Sequence, residues 1–255
     1  MSQPTKPFFV GYLPIPSGLR LYLFGITLAF LAGFALTGIL IGATQDHPGE
    51  GRVRGDYGRQ TVTGVVELTP YPLLHVTQGN ERIPEGHTLM LSAGNKSGVM
   101  TRAAPLEGKL TTVSGVLLER GSLDMLQLRG GSRGISAAED QPAAPDVSPE
   151  PLGRWKLAGE ICDGKCLAGA MRPGRGLAHK ACANLCLIGG VPPVFVTTQP
   201  VEGQEFLLIT GPDGTELPKD AYHYVAQFVS LEGEITRRGD MLVIAIDAET
   251  IEPLP

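Results

Sequence analysis

No acidic residue occurs before Asp46, and only Lys6 and Arg20 carry charge in the first 45 residues. Nowhere is there a Lys/Arg run, so the chain offers no electrostatic footprint for nucleic acid. Catalytic signatures are missing too: there is no G-x-S-x-G, no Walker loop and no H-E-x-x-H. C-x-x-C-H and C-x-x-C are also absent, which excludes covalent haem and a thioredoxin-like pair. Without a catalytic constellation, an enzyme is the least favoured class. Disorder is excluded by a hydrophobic content of 42%. The remaining charge is uneven. Taking the two early bases from 21 leaves 19 against 26 acids beyond residue 45, a net of −7. An apolar, slightly basic head therefore precedes an acidic body.

Leu21 to Ala43 is an uncharged run of 23 residues. At about 1.5 Å per residue a helix of this length spans the roughly 30 Å hydrocarbon core. A cleavable signal has a shorter apolar region, about 7–15 residues, and Ile41-Gly42-Ala43 is a poor cut site. The run predicts an uncleaved transmembrane helix over 21–43. Residues 1–20 are expected in the cytoplasm and 44–60 to form a flexible stalk. The expected location is a bacterial inner membrane, crossed once, with the body in the periplasm. The bases near the two ends nearly balance, so this orientation rests on a short N-terminal segment and signal-anchor logic. Gly25, Ala29, Gly33 and Thr37 recur every fourth position, and Gly38 and Gly42 add a second pair. Small-xxx-small spacing lets membrane helices approach closely. The expected partners are membrane lipid and either another membrane protein or a second copy of the chain.

The body shows short apolar runs between Gly, Pro, Asn and Asp turns, an all-β pattern. Candidate strands are Thr61–Leu68, Leu73–Val76, Thr88–Ser92, Thr111–Glu119 and Leu123–Leu128, then Trp155–Ile161, Val194–Thr198, Glu205–Thr210, Val225–Arg237 and Met241–Ile246. Residues 130–153 are rich in Pro, Ala, Ser and acids and read as a linker. The halves on either side resemble each other. Val113 to Gly121 matches Leu231 to Gly239, Leu89 to Gly94 matches Phe206 to Gly211, and Thr63-Gly64 parallels Ala158-Gly159. The pattern predicts a tandem duplication of a small OB-like barrel, at 61–129 and 154–255. The second copy carries about 25 extra residues between its first two strands, at 162–190, and a long connection in a compact domain is often functional.

All four cysteines lie there, as C-x3-C, fifteen residues, C-x3-C: Cys162, Cys166, Cys182 and Cys186. Leu177 to Ile188 reads as a short helix, with Gly189-Gly190 as its cap and Pro192-Pro193 forbidding continuation. On it His179, Cys182 and Cys186 share one face. Two chemistries compete. Paired disulfides suit an extracytoplasmic body, each worth roughly 3 kcal/mol for a loop of this size. Poor geometry for an i,i+4 bridge implies cross-pairing, 162–186/166–182 or 162–182/166–186. Alternatively, four thiolates and an imidazole supply a zinc or copper site, or a thiol-redox centre. His179 discriminates, because a staple has no use for it.

Twin C-x3-C resembles the pattern of small helical chaperones of the mitochondrial intermembrane space, in which both pairs lie on helices joined by two disulfides. Here Cys162 sits on a strand pattern, and Arg172-Pro173-Gly174 breaks the spacer. A strand, H-x-x-C-A-x-x-C, Gly-Gly-x-Pro-Pro and an OB-like ending also resemble a recurring module of bacterial envelope proteins. That resemblance implies a location and no activity. The Gly51–Arg59 stretch reads as a spacer, Asp163-Gly164 as a turn, and His75, His87 and His223 as isolated. Tyr222-His223-Tyr224 reads as the start of a strand, and Arg120 and Arg238 as equivalent structural turn residues. The combined expectation is a membrane-anchored accessory or interaction protein of an envelope redox or transport complex, with the insertion as its working surface.

Overall fold

The computed structural model describes residues 15–45, 49–138 and 147–255. The chain divides into a head, Met1–His47, and a body, Pro48–Pro255. In the head, α1 runs Ser17–Gln45. Its Ser17–Gly42 portion has a mean hydropathy of 2.2 and none of it is buried, so it is long and apolar enough to cross a membrane. Ala29, Gly33 and Thr37 floor a shallow groove along it, flanked by Ile26, Phe30 and Phe34. Among the described residues, nothing beyond the helix's own backbone and chain neighbours lies within 4 Å of a Cβ placed on Gly25, Gly33, Gly38 or Gly42. The expected residues 1–14 lie outside the described residues.

The body is mostly strands. Its first half contains β1 (Arg52–Val53), β2 (Gln60–Leu68), β3 (Pro72–Gln78), β4 (Thr88–Ser92), β5 (Leu110–Arg120), β6 (Leu123–Leu128) and β7 (Ile135–Ala137). A single helical turn, α2 (Met100–Ala103), lies between β4 and β5. The seven strands form one sheet in the order β1-β5-β2-β3-β4-β6, with β7 on β5 and a further pairing of β5 with β6. The second half contains β8 (Glu150–Asp163), α3 (Lys180–Ile188), β9 (Pro193–Val201), β10 (Gln204–Thr210), β11 (Phe228–Arg238) and β12 (Met241–Pro253). Its five strands close into a barrel, β10-β12-β11-β8-β9.

The ladders of the two halves correspond. β4 runs parallel to β6, with Met90, Leu91 and Ser92 opposite Met125, Leu126 and Gln127. β10 runs parallel to β12, with Leu208, Ile209 and Thr210 opposite Val243, Ile244 and Ala245. The other pairings between these strands are antiparallel, and one isolated parallel bridge joins Val66 to Glu107. These registers put Leu91 with Ile209 and Ser92 with Thr210. The sequence match Leu89–Gly94 to Phe206–Gly211 is therefore one residue out, and in a strand that slip exchanges the two faces. Gly64 and Gly159 hold equivalent places in β2 and β8. A Cβ there would lie 2.2 Å from the His75 carbonyl oxygen and 2.1 Å from that of Val196, so only glycine permits the close strand approach.

Alternation along each strand separates three cores. One fills the closed barrel, with Ile161, Phe195, Leu207, Ile209, Ile244 and Ile246. Another fills the first half, with Val66, Leu74, Leu89, Leu91, Leu117 and Leu126. A third joins the halves: Leu73, Met90, Leu118 and Met125 pack with Cys162, Cys166, Val194, Phe206 and Val243. The halves are thus one body. Polar contacts add to this seam. Arg238 bonds Glu67, which also bonds His75 Nε2 at 2.6 Å. His87 sits between Asp124 at 2.9 Å and Asp240 at 2.6 Å.

Several expectations need correction. Arg52–Val53 of the expected free stalk pairs with β5, opposite Glu119 and Leu118, and Gly51 is buried. A Cβ on Gly51 would lie 2.5 Å from the Leu167 carbonyl oxygen, and Arg120 Nε donates to the Gly49 carbonyl at 2.8 Å. The expected linker 130–153 contains β7 and the start of β8; its residues 139–146 lie outside the described residues. Tyr222, His223 and Tyr224 belong to a 3-10 segment, Lys219–Tyr224, because Pro218 starts a turn and the strand begins only at Phe228. His75 and His87 are not isolated; both are paired with carboxylates at the seam.

Candidate metal and thiol centre

β8 ends where the centre begins. Ile161 points into the barrel core, and its neighbour Cys162 takes the opposite face. Asp163 closes the strand and is fully buried. Its Oδ1 accepts the Cys166 N–H at 2.8 Å, capping the helical turn that begins at Gly164. Its Oδ2 lies 3.0 Å from Nε2 of His179, which is itself only 3% exposed. The expected Asp163-Gly164 turn is therefore a cap with a second bond to the imidazole. A π-helical stretch, Cys166–Ala170, carries Cys166 into the seam. The expected helix from Leu177 starts as a 3-10 turn, Leu177–His179, and continues as α3. Gly190, at φ +86, ends it, and the Val191 N–H returns to the Cys186 carbonyl at 3.0 Å.

The side chains converge on Cys166. Donor atoms of Cys166, His179 and Cys182 lie within 4.8 Å of one another, as do those of Asp163, Cys166 and Cys186. Cys166 Sγ is 3.9 Å from Cys186 Sγ. Met171 brings a thioether sulfur 3.4 Å from Cys182 Sγ. The shared face expected for His179, Cys182 and Cys186 is thus turned toward Cys166. All four cysteines are free. Neither expected cross-pairing is made, because all four are free, and the one Sγ–Sγ approach, Cys166 to Cys186, far exceeds the roughly 2.05 Å of a disulfide. Cys162 belongs to neither donor group. It packs in the same apolar cluster as Cys166 and Cys186, but its thiol donates to Glu160 Oε1 at 3.3 Å.

Two lysines flank the sulfurs. Lys165 is buried, and its Nζ donates to the Ala93 and Asn95 carbonyls, each at 2.6 Å. Lys96, from the first half, places its Nζ 2.6 Å from Cys182 Sγ and 3.8 Å from Cys186 Sγ. Electrostatics differ along the cluster. Burial pushes the Cys162 thiol well up, and the neighbouring Glu160 adds to it. The Cys166 thiol is raised by its hydrogen bond to Cys186 and by burial. Cys186 is lowered, first by that same bond and further by the Lys96 charge. Burial lowers Lys165, and the hydrogen bond to Cys182 raises Lys96.

Sequence reasoning missed Asp163, Met171, Lys96 and Lys165. Asp163 stands next to Cys162 and had a local signal as a cap. Lys96 is 86 residues from Cys182 and had none. No protein family, curated protein or solved structure matches this chain.

Proposed function

We propose that the chain is a membrane-anchored accessory protein whose extracytoplasmic body holds a thiophilic metal ion, zinc or copper(I), at Cys166, Cys182, Cys186 and His179. The observation that carries the reading is the fully buried Asp163, which holds Nε2 of His179 while the donor atoms of Cys166 and Cys182 lie within 4.8 Å of the ring's and Cys186 lies within 4.8 Å of Cys166. A ligating histidine characteristically gives its other nitrogen to a carboxylate, which fixes the ring and raises its basicity. Three thiolates and one imidazole are a common zinc set, and thiolates with a thioether suit copper(I). Cys162 has no place in this set.

In the same reading the body is two copies of one OB-like barrel. The first sheet is the counterpart of the closed barrel, and residues 162–190 are inserted into the second copy. The matching parallel pairs β4–β6 and β10–β12 support this, as does the further pairing of β5 with β6. α1 serves as the anchor, with the body in the periplasm. Leu177, Leu185 and Ile188 are exposed on the insertion and give apolar surface for a membrane-protein partner.

The test uses full-length protein purified in detergent under reducing, anaerobic conditions. Elemental analysis and thiol counting are run together after incubation with zinc or copper(I). One ion per chain, protecting three thiols and leaving Cys162 reactive on unfolding, is the expected result. Four titratable thiols and no bound ion sink the metal reading.

A further inference from the structure

The metal reading leaves unexplained why an amine stands so close to one of the sulfurs. Lys96 Nζ and Cys182 Sγ are 2.6 Å apart. That is too long for a direct sulfur–nitrogen bond. It is also well inside the reach of an ordinary hydrogen bond to sulfur, such as the 3.8 Å from the same nitrogen to Cys186. Two single bonds that share one atom hold their outer atoms roughly 2.5 Å apart, as the nitrogen and carbonyl carbon of one residue show. The separation is that of two atoms with one light atom between them.

The pair is also held in place from both sides. The loop bearing Lys96 is closed by the Ala93 N–H donating to the Ser97 carbonyl at 2.8 Å. It docks on the end of α3, where the Gly98 N–H donates to the Gly189 carbonyl at 2.8 Å. A Cβ on Gly189 would lie 1.8 Å from the Lys96 carbonyl oxygen, so the backbones touch there. Cys182 is the one partly exposed cysteine of the four. A pocket of about 620 Å³, lined by Lys96, Lys165, Cys166, Met171 and Cys186, opens beside it. A small oxidant can enter where the two atoms already face each other.

We propose that Lys96 and Cys182 are an oxidative modification site, joined through a single oxygen as a nitrogen–oxygen–sulfur bridge when dioxygen is the oxidant. From the thiolate–ammonium pair two N–H bonds of Lys96 break; from the thiol–amine pair of the same composition one S–H and one N–H bond break. One S–O and one O–N bond form. The O=O bond is cleaved; one oxygen stays in the bridge, and the other leaves as water with the two hydrogens. Sulfur and nitrogen each give up two electrons, which together reduce dioxygen. The bridge ties the loop of the first half covalently to α3 of the second. It also removes one sulfur from the proposed ligand set, and it needs no metal to form.

The experiment is peptide mapping by mass spectrometry on full-length, chelator-treated protein, aerated or kept reduced. Aerated protein is expected to yield a linked pair of peptides containing Lys96 and Cys182. Their mass is the sum of the two peptides plus one oxygen and minus two hydrogens. A thiol reductant restores the separate peptides. Lys96 loses most of its acylation by an amine reagent in the aerated sample and regains it on reduction. Lys96→Arg and Cys182→Ser abolish the linked pair. Oxygen added to Cys182 with Lys96 still acylated overturns the proposal. So does Cys182 in a disulfide, or both residues unchanged after aeration. A linked pair in a protein that binds no ion would leave this inference standing and the metal reading refuted.

Discussion

The connection after β2 and the connection after β8 start from equivalent strands and end in very different chemistry. After β2 the chain turns through Thr69 and Pro70 and is already in β3 at Pro72. After β8 it travels from Gly164 to Pro192 before β9 begins. The short connection carries one titratable group, Tyr71, whose hydroxyl oxygen accepts the Leu217 N–H at 3.0 Å. The long one collects three thiols, a buried imidazole and a buried lysine around Asp163. A barrel tolerates such an addition because the closing ladders lie elsewhere, and a longer loop adds closure entropy only slowly. The price of the long connection is buried polarity, and each group has to find its partner within the insertion or on the opposite half.

The comparison breaks most sharply at the cysteines. Cys166→Ser is expected to abolish stoichiometric ion uptake, and Cys162→Ser to leave it intact, as read by elemental analysis. Equal loss in both variants would place Cys162 in the site. At the strand ends, Asp163→Ala strands His179 and the Cys166 N–H, so chemical denaturation should show a loss of about 3 kcal/mol. The equivalent Leu68→Ala, only partly buried, should cost about 1 kcal/mol. Asp163→Asn should weaken ion binding about 10- to 100-fold. Where the halves are alike, they should respond alike. Gly64→Ala and Gly159→Ala each force a Cβ against a carbonyl and should each cost about 2 kcal/mol.

A pH-dependent effect concerns the seam itself. Burial opposes charge on His87, but the hydrogen bonds and charges of Asp124 and Asp240 outweigh it and raise its pKa to about 9. A raised histidine contributes stability that is complete below its unfolded value, about 6.5, and is lost as pH rises through 9. Unfolding followed between pH 6 and pH 10 should show a loss of up to about 3 kcal/mol from this group. His87→Gln should remove that part of the pH dependence. An unchanged slope in the variant would show that the clamp does not couple the halves.

Much of the fold was legible because alternation and glycine spacing are local. Leu123–Leu128 and Thr88–Ser92 were bounded as they occur. The repeat was visible for the same reason, yet the Leu89 match slipped by one residue, because similarity of residue type does not report which face is buried. The apolar head was legible from its length and lack of charge. At the centre, the helical face carrying His179, Cys182 and Cys186 could be read from spacing alone. Asp163 could not be told from an ordinary turn former until His179 was placed against it. Nothing local announces Lys96 or the pairing of Arg52–Val53 with β5, since both depend on chain segments far away in sequence.

That last strand has a mechanical consequence. Gly49 to Val53 is laced onto the body through Arg120, which also donates to the Leu167 carbonyl at 3.4 Å, and through the backbone contact of Gly51 with Leu167 to Gly169. Leu167 is the residue that follows Cys166. Tension along the chain on the anchor side of the body is therefore delivered first to the backbone beside the central sulfur. In mechanical terms the segment is a tether fastened beside the central sulfur rather than a free leash.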